Sequence, residues 1–295
     1  MRADTDAVLV PDGFPGQRML VVPRPRLREH WAQPGRVGFA VTDCGYFPDA
    51  HSHGRSRTRP IAQAVVIACV SGRGWCETEA GRVEVGPGHV IVLEPDRPHA
   101  YGADDADPWT VWWVHVAGPG LGDFLRDAGL SNEQPVRTVS DLYPVVTLIA
   151  EIVGVLERDD TAVSLIAASG AATHLMSILA TDRGVPQGTD ELVERAAGYL
   201  REHLSEPLTV GDLAAMSRLS TSHFAAVFRR RLGSSVRQYQ TTVRMARARE
   251  LLDTTAIPIA TVAASVGYPD AFYFSRQFKR IHGVTPRQYR GGAHG

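Results

Sequence analysis

Residues 258–280 read PIATVAASVGYPDAFYFSRQFKR, a stretch that mixes Tyr268, Phe272, Tyr273, Phe274 and Phe278 with Arg276, Lys279 and Arg280. Aromatic side chains ordinarily seek a core, whereas clustered cations seek water or an anion. Pro258 opens one helical run, GYPD supplies a turn, and a second helical run follows. At about 100° per residue, Ala271, Phe274, Phe278 and Ile281 fall within an arc of roughly 80° and are expected to be the buried face. Phe272, Tyr273, Arg276, Lys279 and Arg280 fall on the opposite side, with Arg276 near its middle. One helix thus turns a greasy side inward and a cationic side outward.

The same unit occurs twice. FRRRLGSSVRQYQ (228–240) and FKRIHGVTPRQYR (278–290) align at an offset of fifty residues, matching Phe228 with Phe278, Gly233 with Gly283 and Tyr239 with Tyr289. Ser235 and Thr285 take equivalent N-cap positions, and Pro286 takes the first helical position of the second copy. Thr209 and Asp212 make a capping box at the start of the first copy. Between the copies, SVRQYQTTVRMARARELLDTT predicts a helix of about twenty residues, roughly 30 Å long. That is close to the ~34 Å advance of one DNA turn. The major groove admits a single α-helix, in which Arg can bond guanine and apolar groups can meet thymine methyls. Phe272, Tyr273, Arg276, Lys279 and Arg280 are therefore the expected base-reading face. In the first copy the equivalent face is Ser222, His223 and Ala226, flanked by Arg229 and Arg230, which points mainly to phosphate contact.

Charge divides along the chain in the same sense. From residue 190 onward, 15 Arg and Lys face 9 Asp and Glu, whereas the remainder carries 16 against 23. A basic third on an acidic body suggests a polyanionic partner at one end. The 295 residues, 44% hydrophobic and 21% charged, suit a globular protein of two domains. Asp4 and Asp6 occupy the place of a signal peptide's basic and apolar regions, and the apolar run at 64–70 is too short to span a bilayer. Three cysteines, Cys44, Cys69 and Cys76, lack metal-ligand spacing and fit a reducing cytoplasm.

The expected organisation is α+β. Residues 1–182 form an effector-binding domain, RGVPQGT (183–189) a linker, and residues 190–295 an all-α tandem helix-turn-helix domain. Within 37–117, VGFAVTD, AQAVVIACVSG, GWCETEA, GRVEVGPGHVIVLEP and WTVWWVHVAG read as short strands of a small antiparallel barrel. Val145, Leu148, Ile149, Ile152, Val155 and Leu156 recur at helical spacing, as do Leu165, Ile166, Ala168, Leu175, Met176 and Leu179. The 145–156 stripe could form a dimer face or lie buried on the barrel.

Residues 192–290 strongly resemble the tandem helix-turn-helix domain of the AraC/XylS family of bacterial transcription regulators, above all through IPIATVAASVGYPDAFYFSRQFKRIHGVTPRQYR. Residues 55–117 look like the cupin-like sensor of the family's arabinose-regulator branch. The resemblance implies a homodimer with a two-helix dimerisation segment and a mobile amino-terminal arm (VLVPDGFPG). It also implies an effector, a sugar or related metabolite, and transcription activated through RNA polymerase. The matching stretches at 59–60, 99–102 and 109–113 place Arg59, Tyr101 and Trp113 in the effector pocket, with His99 and Trp112 beside them. The chain departs from that pattern at Val111, where the family's sugar binder has a histidine. A sugar site wants aromatic platforms and bidentate donors, which is the chemistry of these residues.

Two enzymatic readings compete. His51, His53 and His99 are similar to a catalytic cupin's metal ligands, but Arg55 and Arg57 follow where a carboxylate is wanted. An alkyl-transfer repair protein needs clustered cysteines with a lowered thiol pKa, and three scattered ones do not supply it. The expectation is a regulator with no cofactor, no bound metal and no membrane partner.

Overall fold

The computed structural model describes residues 9–33, 38–182 and 188–292, forming two compact units divided at Gly188. Of the stretch read as linker, 183–187 lies outside the described residues, and Thr189 is already helical. Asp4 and Asp6, and Val8 at the start of the arm, also lie outside them.

The first unit is built on ten strands: β1 (Arg18–Val21), β2 (Ala40–Phe47), β3 (Gly54–Arg57), β4 (Ala64–Ser71), β5 (Gly74–Thr78), β6 (Gly81–Val85), β7 (His89–Leu93), β8 (His99–Ala103), β9 (Thr110–Ala117) and β10 (Val136–Thr138). A six-stranded sheet runs β1-β2-β9-β4-β7-β10 and a four-stranded sheet runs β3-β8-β5-β6, with antiparallel pairing in both. The two inner faces share one core, in which Val65, Ile67, Ile91, Leu93 and Val111 meet Cys76, Val85 and Tyr101. Each such aliphatic side chain contributes about 1.5–3 kcal/mol on burial.

Alternation along β9 decides what faces that core. Trp109, Val111 and Trp113 belong to it. Trp112 stands on the other face, its ring 4.5 Å from that of Tyr46 and with the Arg18 guanidinium 5.6 Å from its centroid. The outer face of the larger sheet carries helices. After α1 (Arg24–Ala32) and α2 (Leu121–Asp127), α3 (Tyr143–Arg158) and α4 (Ala162–Thr181) pack on one another and on β2. Val145, Leu148, Ile149, Ile152, Val155 and Leu156 are all buried within this protomer, so the 145–156 stripe serves the barrel and not a dimer face. Helix α4 is different. It is long and apolar enough to cross a membrane by composition, with a mean hydropathy of 1.6. One side packs inward through Leu165, Ala168, Ala172, Leu175 and Met176, while Val163 is 74% and Ile166 40% exposed.

Cys44, Cys69 and Cys76 form no disulfide and are buried. Burial pushes the Cys44 and Cys76 thiols up to about 12, which keeps both protonated and unreactive.

The second unit is helical: α5 (Thr189–Glu202), α6 (Val210–Met216), α7 (Thr221–Leu232), α8 (Val236–Thr254), α9 (Ile259–Ser265), α10 (Ala271–His282) and α11 (Pro286–Gly292). The Thr209 hydroxyl accepts from the Asp212 N–H at 3.1 Å while Asp212 accepts from the Thr209 N–H at 2.8 Å. Ser235 and Gln238 cap α8 reciprocally, and Thr285 and Gln288 repeat the device at α11. Helix α8 has 19 residues and so spans about 28 Å. Its Arg244 reaches both repeats. Nε donates to the Leu204 carbonyl at 2.8 Å and Nη2 to the Glu206 carbonyl at 3.0 Å, while the guanidinium lies 5.6 Å from the Tyr268 ring centroid.

Candidate nucleic-acid interface and effector cavity

Helix α10 begins where the Asp270 carboxylate accepts the N–H groups of Phe272 at 2.8 Å and Tyr273 at 3.2 Å, and it ends at Gly283 with φ 80°. Phe274 and Phe278 are fully buried against Met245, Leu252, Val262 and Tyr268. Opposite them Phe272 is 87% exposed, and Tyr273, Arg276, Lys279 and Arg280 are exposed with it. The Arg276 guanidinium lies 5.8 Å from the Tyr273 ring centroid, which gives this face a cation laid beside a flat ring. Ile281, expected in the core, is instead 42% exposed. In the last turn His282 takes the inward place, its ring 4.4 Å from Phe278 and 6.3 Å from Tyr289 of α11.

Helix α7 has the same build. Ser220 accepts the His223 N–H at 3.3 Å, Phe224, Val227 and Phe228 are buried, and Gly233 ends the helix at φ 71°. Ser222, His223, Ala226, Arg229 and Arg230 are exposed. Arg230 donates to Asp190 at 2.8 Å and Arg231 to Glu194 at 2.8 Å, both on α5. Cations at the ends of both helices are favoured by the negative helix terminus.

Inside the first unit lies a cavity of about 160 Å³. Its apolar wall includes Phe47, Val65, Ile67, Val111 and Trp113, and its polar wall includes Arg24, Asp43, His53, Arg55, Arg57 and His115. Asp43 lies 3.9 Å from Arg24 and 3.6 Å from His115. Burial raises its pKa, but the neighbouring His115 and Arg24 outweigh this and hold the carboxyl below its usual range. His53 accepts the Trp109 indole N–H at 3.0 Å. Burial, aided by the charge of Arg55, lowers its pKa to about 4, so the ring is neutral at pH 7. Burial also keeps the Tyr101 hydroxyl protonated. The arm reaches this site, since Val10 pairs with Ser52 and Gly54 and Pro11 lines the cavity.

The effector candidates read from sequence separate here. Tyr101 and Trp113 stand on the cavity wall, as does Val111. Arg59 is exposed, beyond the end of β3, and lies outside the lining. Trp112 projects to the helical side, as alternation requires. His99 is buried next to the cavity, stacked 6.2 Å from Tyr101, but outside its lining. Its Nδ1 lies 3.0 Å from the Arg97 carbonyl, and burial lowers its pKa. Arg55 and Arg57 were missed. On β3 they occupy alternate positions, opposite Tyr101 and His99 of β8. The sequence GRSR carried that signal, a pair of cations two residues apart, but it lacks the apolar alternation by which strands are recognised.

The histidines do not assemble into a metal centre. His51 is largely exposed beside Asp49, whereas His53 is buried. Among the described residues no three His, Cys, Asp or Glu side chains gather to hold an ion.

A sheet-built chamber followed by paired helix-turn-helix units defines a ligand-binding, DNA-binding transcription regulator, not an enzyme. The family comparisons agree: residues 42–176 match the AraC-like ligand binding domain and residues 213–292 a helix-turn-helix domain. The chain belongs to the AraC family. It is 28% identical to the MmsAB operon regulatory protein of Pseudomonas aeruginosa over 92% of this chain and 89% of that one. It is also 28% identical to the arabinose operon regulatory protein of Escherichia coli, over 79% and 83%. The raffinose operon transcriptional regulatory protein RafR of Pediococcus pentosaceus is 26% identical over 69% and 75%.

Proposed function

We propose that this regulator reads operator bases chiefly with the outward face of α10, holds phosphates chiefly with α7, and is switched by a small polar effector in the barrel cavity. The observation that carries the DNA reading is the exposure of Phe272, Tyr273, Arg276, Lys279 and Arg280 on one face of a helix whose other face is anchored by two fully buried phenylalanines. Arg can pair with guanine while the rings meet thymine methyls. The length of α8 supports placing the two probes in successive major grooves. Selection of bound sequences from a random duplex library tests this. Arg276→Ala is expected to relax preference at one base position, and an unchanged consensus would sink the assignment.

The working form is a homodimer in the cytoplasm, where promoter DNA and RNA polymerase are its further partners. Family membership supports polymerase contact and activation. The outward face of α4 supports a second copy as its cover, because Val163 and Ile166 stand exposed there beside the small Ala167 and Gly170. Val163→Asp combined with Ile166→Asp should shift sedimentation from dimer to monomer at micromolar concentration. A wild-type chain that sediments as a monomer removes the dimer. Effector binding would then shift a pre-existing equilibrium in how the DNA-binding halves are held.

A further inference from the structure

The cavity wall has an electrostatic bias that a neutral sugar does not require. Three guanidinium groups border it, those of Arg24, Arg55 and Arg57. Two carboxylates answer them: Asp43 lies 3.9 Å from Arg24 and Asp12, on the arm, lies 3.8 Å from Arg55. Among the described residues no carboxylate lies within ion-pair distance of Arg57. Its Nε is buried with no acceptor, and so is the indole N–H of Trp113, a second donor on the same wall. His53 is neutral and adds no charge. Of the three guanidinium groups Arg57 is thus the one left without a carboxylate among the described residues, a planar donor next to an aromatic and aliphatic wall. Buried donors without acceptors are rare in folded proteins, and a guanidinium matches a carboxylate in shape and in donor geometry.

We propose that the ligand of this cavity is a small monocarboxylic acid, with its carboxylate on Arg57 and its carbon skeleton against Trp113, Val111 and Ile67. This rests on the reading of the cavity as the effector site. One guanidinium without a carboxylate suits a monoanion better than a phosphate dianion.

The test is thermal denaturation of the full-length protein at constant pH and ionic strength with matched acid and neutral pairs. The probes are propionate with propionamide, butyrate with butyramide, lactate with lactamide, gluconate with glucose and galacturonate with galactose, and inorganic phosphate is run beside them. At least one carboxylate should raise Tm saturably where its neutral twin does not. Arg57→Gln should weaken that acid at least tenfold and Arg57→Lys less, with the unliganded Tm of each variant checking its fold. Equal stabilisation by a neutral twin, stronger stabilisation by phosphate, acid binding indifferent to Arg57→Gln, or no response to any acid each overturns the inference. A neutral sugar whose binding is lost in Trp113→Ala would leave the effector cavity standing and remove only the acid. An acid that binds regardless of both substitutions would remove the cavity reading too.

Discussion

Helices α7 and α10 are two castings of one part. Each has 12 residues, a capped start, a left-handed glycine at its end and two buried phenylalanines, Phe224 and Phe228 in α7 and, fifty positions on, Phe274 and Phe278 in α10. Their outward faces have diverged. Where α10 presents Phe272, Tyr273 and Arg276, α7 presents Ser222, His223 and Ala226 in the same places. Beyond these, Arg230 of α7 is tied to Asp190 and its neighbour Arg231 to Glu194, whereas Lys279 and Arg280 make no ion pair among the described residues. The repeat thus preserves what folding demands and varies what a partner would meet. A central Arg offers paired donors that suit guanine, whereas a central Ala offers at most an apolar contact with a thymine methyl.

The largest effects should fall on the shared part. Phe278→Ala removes a fully buried ring from the core of the second repeat and is expected to cost about 3–5 kcal/mol, read as a lowered melting temperature of the full chain. Phe228→Ala should cost a similar amount, because its ring is equally buried. A loss under about 1 kcal/mol at either site would break the equivalence of the two cores. Next comes the turn. Gly267 has φ 80°, and a Cβ there would lie 2.5 Å from the Leu204 carbonyl oxygen and 2.7 Å from Arg244. Gly267→Ala should destabilise by about 1–3 kcal/mol through backbone strain, with more from the displaced Arg244. Arg244→Ala measured alone and together with Gly267→Ala tells the two contributions apart.

The contrast between the repeats was legible in the sequence because helical periodicity sorts residues by face, and the buried phenylalanines set the phase. It failed only at Ile281, where the chain turns into α11 and packing, not periodicity, chooses His282 for the inward place. The barrel was less transparent. Strands β4, β7 and β9 announce themselves through Val, Ile and Trp, but β3 and β8 do not, since their positions on the cavity wall hold Arg55, Arg57 and Tyr101. A strand that lines a polar chamber gives up the apolar alternation by which strands are found. Arg59 came from the matching stretch at 59–60, whereas the cavity wall holds Arg55 and Arg57. Trp112 and Trp113 are adjacent in the chain and opposite in space, a distinction that depends on the register of β9.

On the divergent faces the expected effects are smaller and more specific. Arg276→Ala should cost about 1–3 kcal/mol at the preferred site and little at unrelated DNA. Ala226→Arg puts the missing guanidinium into α7 and should create a preference at one further base position without stabilising the fold. If Ala226→Arg strengthens all sequences alike, then α7 lies too far from the base edges to read them, and the difference between the helices is one of placement more than of composition.

The smallest effect separates two adjacent arginines. Arg229 has no ion pair among the described residues, whereas Arg230 is paired with Asp190 at 2.8 Å, both side chains being more than half exposed. An exposed pair of this kind is worth about 0–1 kcal/mol, so a DNA phosphate can compete for Arg230 but must first displace Asp190. Arg229→Ala should therefore lower the slope of log K against log salt by about 1, with uniform loss across sequences. Arg230→Ala should lower it by less, and Asp190→Ala should raise affinity by releasing Arg230. Identical slopes for the two arginine variants, with no gain from Asp190→Ala, would mean that the α5 carboxylate does not restrain the phosphate-binding end of α7.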